Sequence, residues 1–385
     1  MIDEANRKGV SWQSPLGGPA NDRTSRLPLS ATGQVRWRVP LPYHHVAGIS
    51  VTAEGTLFVS AGGGITALDG PAVRWSIDTS AAWSPLLLDD GLLVIGETNG
   101  LAVREQRTGR LVNTIREPQL RSDPAVLSNG LLAFLAWLDG STVLRATTPD
   151  GRSGWQHELA GWSLGRPLVQ SDQVIVADGA TLRAFGGAGD PVWTIDLRQV
   201  APEPGEVEVE GPLVGLPGGR ILVAVRTPHM VGYAVADTRQ GTVHALPAHL
   251  PPKPLTVPLT DGERELLFVP GWPEKDDYGQ LLPTVTAVDI ATGEKSFQHV
   301  VPTAARSMVG GSTGVVAVAG SPTPERWAKY HAPDFDLTDS CYVLFFDSTG
   351  VRGEWKPGKP VTGPLAVGAD GDLLVPVSGE LVSVG

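Results

Sequence analysis

Two stretches of this 385-residue chain carry side chains able to move protons or hold a cation. Residues 320–341 contain Tyr330, His331, Asp334 and Asp336, and residues 270–283 contain Asp277. His331-x-x-Asp334-x-Asp336 combines an imidazole with two carboxylates, ligand types that suit a divalent metal. The same groups, together with His229, can act as general acids and bases. The spacing is generic, so a solvated acidic loop is the stronger expectation and no metal is expected. Arg121, Arg166 and Arg306 offer planar forks that fit a carboxylate or phosphate, which points to an anionic ligand. Each can equally pair with a nearby carboxylate such as Asp123 or Glu97. Cys341 is the single cysteine. An intramolecular disulfide and a Cys-based zinc site are therefore excluded, and Cys341 reads as a small buried residue. Gly310-x-Ser312-x-Gly314 has the pattern of a serine nucleophile, but that pattern works only on a strand-to-helix elbow. Here β-rich runs flank it on both sides, so it reads as a hairpin turn.

Short elements must position these groups. The chain holds 47 Gly and 33 Pro, which break helix interiors and exclude a mostly helical protein. Its net charge of −11 repels phosphate backbones, so nucleic acid is not an expected partner. No apolar run follows the charged residues at the N-terminus and no cysteine stands near it. No stretch approaches the ~18 apolar residues of a membrane span. A cytoplasmic protein without a membrane span is the expectation.

A repeat organises the chain. Gly followed by a strand-like run ending in Trp occurs at Gly33–Trp37, Gly70–Trp75, Gly151–Trp155, Gly189–Trp193 and Gly350–Trp355. Weaker copies begin at Gly109, Gly241 and Gly293. Strand openings at Pro85, Pro124, Pro167, Pro212 and Pro254 recur about every 40 residues, the period of a four-stranded propeller blade. Asp-Gly and Asn-Gly pairs such as Asp90-Gly91 and Asn129-Gly130 supply the positive φ angles of tight hairpins. The pattern predicts an all-β, eight-bladed β-propeller of four-stranded antiparallel blades. The last repeat stops at its third strand, and the missing fourth appears at 33–41, so the N-terminal strand should complete the last blade and close the ring. Residues 33–385 then form one propeller, with long loop insertions at 270–283 and 320–341. Residues 1–32 form an extension on the outside or across a face.

The repeat accounts for Trp37, Trp75, Trp155, Trp193 and Trp355, which should pack between blades. Trp83 and Trp162 fall between a fourth strand and the next opening strand. Trp137, Trp272 and Trp327 fall between second and third strands. Both loop types emerge on one face, around the mouth of the central channel. With Arg121, Arg166 and Arg306 these five tryptophans define a candidate ligand- or protein-binding face.

The pattern LxAxD…TGxxxW, seen best at 286–293 and 345–350, resembles the repeat of the pyrroloquinoline-quinone (PQQ) propeller family. The stretch from Trp12 to Pro19 also resembles the start of such propellers. For its quinone-dependent dehydrogenases the resemblance implies PQQ, calcium and a pair of adjacent cysteines. This chain has Cys341 alone, and it resembles the non-enzymatic BamB-type propellers more. Three functions follow in order: a scaffold binding a protein or an anionic small molecule; a lyase or cyclase working under the two long loops; and a quinone-dependent oxidoreductase.

Overall fold

The computed structural model describes residues 10–12, 21, 23–81, 83–117, 119–161, 163, 165–200, 207–227, 231–246, 256–261, 264–275, 281–321 and 341–385. They form eight antiparallel sheets, one per predicted repeat. In blade 1, Val46–Thr52, Thr56–Ala61, Gly64–Asp69 and Ala72–Asp78 pair in chain order. The first strand is almost wholly buried and the fourth mostly exposed. First strands of neighbouring blades touch: Val46–Thr52 meets Leu86–Leu87, and Leu168–Gln170 meets Val214–Leu216. The first strands therefore ring the axis and the fourth strands form the outer edge. Continuous apolar second strands such as Leu132–Leu138 lie buried between neighbouring sheets, which is why they do not alternate.

The ring closes as the sequence predicts. Val35–Pro40 pairs antiparallel with Glu380–Val384, from Val35 opposite Val384 to Pro40 opposite Glu380. The last blade is thus built from both ends of the chain and leaves no open seam.

The Gly-to-Trp repeat has a physical basis at the blade junctions. Trp155 of blade 3 donates its Nε1–H to the Gly187 carbonyl of blade 4, at 3.1 Å. Its ring lies on Gly189 of blade 4, where a Cβ would sit 2.5 Å from the indole. Trp75 does the same two junctions earlier, between blades 1 and 2, with its Nε1–H on the Gln106 carbonyl at 3.0 Å and its ring against Gly109. Both glycines have positive φ, so one residue serves the tight turn and admits the neighbouring ring. In the weaker copy at Gly109 the tryptophan position holds Asn113. Its Nδ2–H donates to the Pro149 carbonyl of the next blade, at 3.0 Å, so the hydrogen bond survives the loss of the ring.

One expectation is corrected. Residues 270–283 are not a loop throughout: the strands Arg264–Lys275 and Leu281–Asp289 extend the hairpin of blade 6, with Lys275 opposite Leu281. Backbone pairing continues because an outward hairpin satisfies its own donors and acceptors. Of the N-terminal extension, placed by the sequence on the outside or across a face, Val10–Trp12, Asn21 and residues 23–32 are described. Val10–Trp12 adds a fifth strand to the channel edge of blade 1, Asn21 and residues 23–25 reach the lead-in to blade 4 and the first strand of blade 7, and residues 27–30 run against the hairpin turns of blades 7 and 8.

Candidate functional site

The segments that lead from one blade's outer strand to the next blade's inner strand form the rim of the channel. Serines bind these lead-ins together. Ser84 donates its Oγ–H to the Ala47 carbonyl at 3.2 Å and its backbone N–H to Asp123 Oδ1 at 3.1 Å, joining blades 1, 2 and 3. Ser50 donates to the Pro85 carbonyl. On the far side, Ser307 Oγ accepts the Leu365 N–H at 2.8 Å.

Arg121 and Trp137 come together. The lead-in to blade 3 pairs with the end of that blade's second strand, Arg121 N–H donating to the Leu135 carbonyl and Trp137 N–H to the Gln119 carbonyl. This pairing places the Arg121 guanidinium 5.6 Å from the centroid of the Trp137 ring. Trp137 belongs to strand Leu132–Leu138 and not to a loop. It is half-buried, while Arg121 is exposed and Leu138 beside it is 40% exposed. Among the described residues no carboxylate pairs with Arg121, and its side chain is exposed. Trp83, on the lead-in to blade 2, is half-buried over Gly96, where a Cβ would lie 2.2 Å from the indole.

The three arginines do not form one cluster. Arg166 is buried, with 3% exposure, at the lead-in to blade 4. Its charge acts on half-buried Asp123. Desolvation pushes the Asp123 carboxyl up to about 6, against the pull of Arg166 and the Ser84 amide. Arg306 is on blade 7, four blades from Arg121, and its Nε–H donates to the Ser321 carbonyl at 3.0 Å. Cys341 is buried, and burial pushes its thiol up to about 11 against the effect of Arg306, which makes it a poor nucleophile. The G-x-S-x-G stretch is a hairpin turn, with the Gly311 N–H on the Val315 carbonyl. Trp162, His229, Asp277, Trp327, Tyr330, His331, Asp334 and Asp336 lie outside the described residues, as does the side chain of Trp272.

What sequence reasoning missed is the content of the channel. Asn21, Arg23 and Ser25 are buried. Asn21 Nδ2–H donates to the Arg166 carbonyl at 3.2 Å on blade 4. The Gly310 N–H of blade 7 donates to the Arg23 carbonyl at 2.8 Å, and the Ser25 N–H returns to the Gly310 carbonyl at 2.7 Å. Burial pulls the Arg23 guanidinium down to about 10. The only sequence signal is negative: this segment carries no copy of the repeat. PQQ beside calcium needs several oxygen ligands converging on one point. Among the described residues no three His, Cys, Asp or Glu side chains meet, and the axis carries Asn21, Arg23 and Ser25. These residues do not fit that group. Among the same residues, no helix is long and apolar enough to cross a membrane.

Residues 27–117 and 102–226, together more than half of the chain, match the family model described as outer membrane protein assembly factor BamB. The crystal structure of BamB from Moraxella catarrhalis is similar, with 14% identity and a TM-score of 0.59 over 91% of this chain and 97% of that one. The structure of the Dos1 propeller is similar at 12% identity and a TM-score of 0.58, over 91% and 94% of the two chains. At such identities the likeness shows the fold alone. No curated protein matches the chain by sequence.

Proposed function

This chain belongs to the PQQ-like propeller family described as outer membrane protein assembly factor BamB, and from that premise we propose that it is a binding propeller that holds a protein partner on the blade-3 rim. The observation that carries the reading is the exposed Arg121 guanidinium stacked 5.6 Å from the half-buried Trp137 ring, beside exposed Leu138. Arginine and tryptophan dominate the energetics of protein interfaces. A guanidinium fixed over an indole loses little freedom on binding and keeps its planar fork for a partner carboxylate. The partner is therefore a protein that presents an acidic residue beside an apolar one.

A photocrosslinking residue placed at position 121 in the full-length chain, in its own cells, tests this. A control at Thr148 sits in the turn between the third and fourth strands of blade 3, on the opposite face. A discrete adduct at 121 and none at 148 is expected, and Arg121→Glu should weaken binding of that purified partner at least tenfold. Equal labelling at both positions, or none at 121, would end the proposal.

A further inference from the structure

A segment of the chain itself runs inside the ring. Asn21 is bound at the lead-in to blade 4, and Thr24, three residues later, bridges Gly310 on the inner strand of blade 7. Three residues reach about 10 Å at most, so the chain between these blades crosses the axial space. Further on, the Ser312 N–H of blade 7 donates to the Leu27 carbonyl at 2.9 Å. Before it, Val10–Trp12 pairs with the free channel edge of Val46–Thr52, Val10 opposite Thr52 and Trp12 opposite Val51.

These contacts share one chemistry. The channel wall offers main-chain groups: the Arg166 carbonyl, the Gly310 N–H and carbonyl and a strand edge on blade 1. An extended polypeptide satisfies such groups by adding itself to the edge, and its side chains then set selectivity. Here Asn21, Arg23 and Ser25 are buried side chains of the threaded segment. Taking an arginine out of water is costly, so its burial marks a position the site accommodates and not a random tail.

We propose that the central channel is a receptor for an extended polypeptide of Asn-x-Arg-x-Ser type, filled in cis by Asn21 and residues 23–25. A polypeptide of the same chemistry from outside enters only when this segment leaves. The site is separate from the blade-3 rim, and neither depends on the other.

The probe is a fluorescent peptide of residues 8–27, added to the full-length chain and to its Asn21→Ala/Arg23→Ala variant. The peptide should bind the variant at least tenfold more tightly than the unaltered chain, and a peptide carrying the same two substitutions should bind neither. Equal binding to both chains, or none to a variant with the native circular dichroism spectrum, overturns the proposal. A second measurement covers a variant that fails to fold. In the unaltered chain the Ser25 and Gly310 amides should exchange hydrogen at least a hundredfold more slowly than in an unstructured peptide. Rapid exchange at both would show that the segment is not seated.

Discussion

At the periphery of the ring, Trp155 lies on Gly189 of the next blade and donates to the Gly187 carbonyl; at the axis, Asn21 and Ser25 reach carbonyls of blades 4 and 7. The peripheral contact is made between blades 1 and 2 and again between blades 3 and 4, uses the same geometry of Gly and Trp, and spans about one repeat. The axial contact occurs once and joins residues far apart in sequence. A repeated junction can be stabilised by a repeated residue pair. The axis, where first strands of different blades converge, is reached by a segment outside the repeat.

The comparison can be broken by substitution, beginning with the largest effect. Trp155→Ala removes a ring that packs with Phe185 and Leu135 between blades 3 and 4. A loss of about 3 kcal/mol is expected, read from the urea midpoint of the full-length chain. A loss below about 1 kcal/mol would show that the peripheral Trp does not hold the junction.

Asp123→Asn probes the axial side. The folded-state carboxyl is pushed up to about 6, above the ordinary value of about 3.9. The folded protein thus binds the proton more tightly than the unfolded chain, and stability falls as pH rises from about 4 to about 6. Asparagine keeps an acceptor for the Ser84 N–H and carries no charge. The variant should lack this loss, which is worth up to about 2 kcal/mol in the wild type. Urea unfolding at pH 4.5 and pH 7.5 measures it, and parallel behaviour of the two proteins would contradict the assignment.

The smallest effect is expected for Trp75→Phe, which keeps a ring on Gly109 and loses only the Nε1–H bond to the Gln106 carbonyl. A cost of about 1 kcal/mol follows from one hydrogen bond with its acceptor left behind. A cost near that of Trp155→Ala would mean that the hydrogen bond, and not the ring, secures the periphery.

Much of this was legible before any coordinates. The eight blades, their hairpins and the closing strand were written in glycines at positive φ and in tryptophans four or five residues later. Trp83 and Arg121 fell on the rim, and Trp137 beside it, because loop types alternate between the two faces. Arg166 sits on a lead-in as its sequence position implies, and neighbouring blades bury it where its charge acts on Asp123. The hairpin of blade 6 was read as a loop because Pro270 and Pro273 break a strand pattern, although the backbone still pairs beyond them.

The amino-acid sequence by itself determined the repeat, the number of blades and the closure, because each rests on local turn chemistry and short-range pairing. Only the tertiary structure decided what fills the channel, which arginine faces solvent and which carboxyl resists ionisation. Those outcomes depend on main-chain groups brought together from distant blades, as when Asn21 meets Arg166, and on the desolvation that their convergence imposes. No periodicity in the chain encodes either.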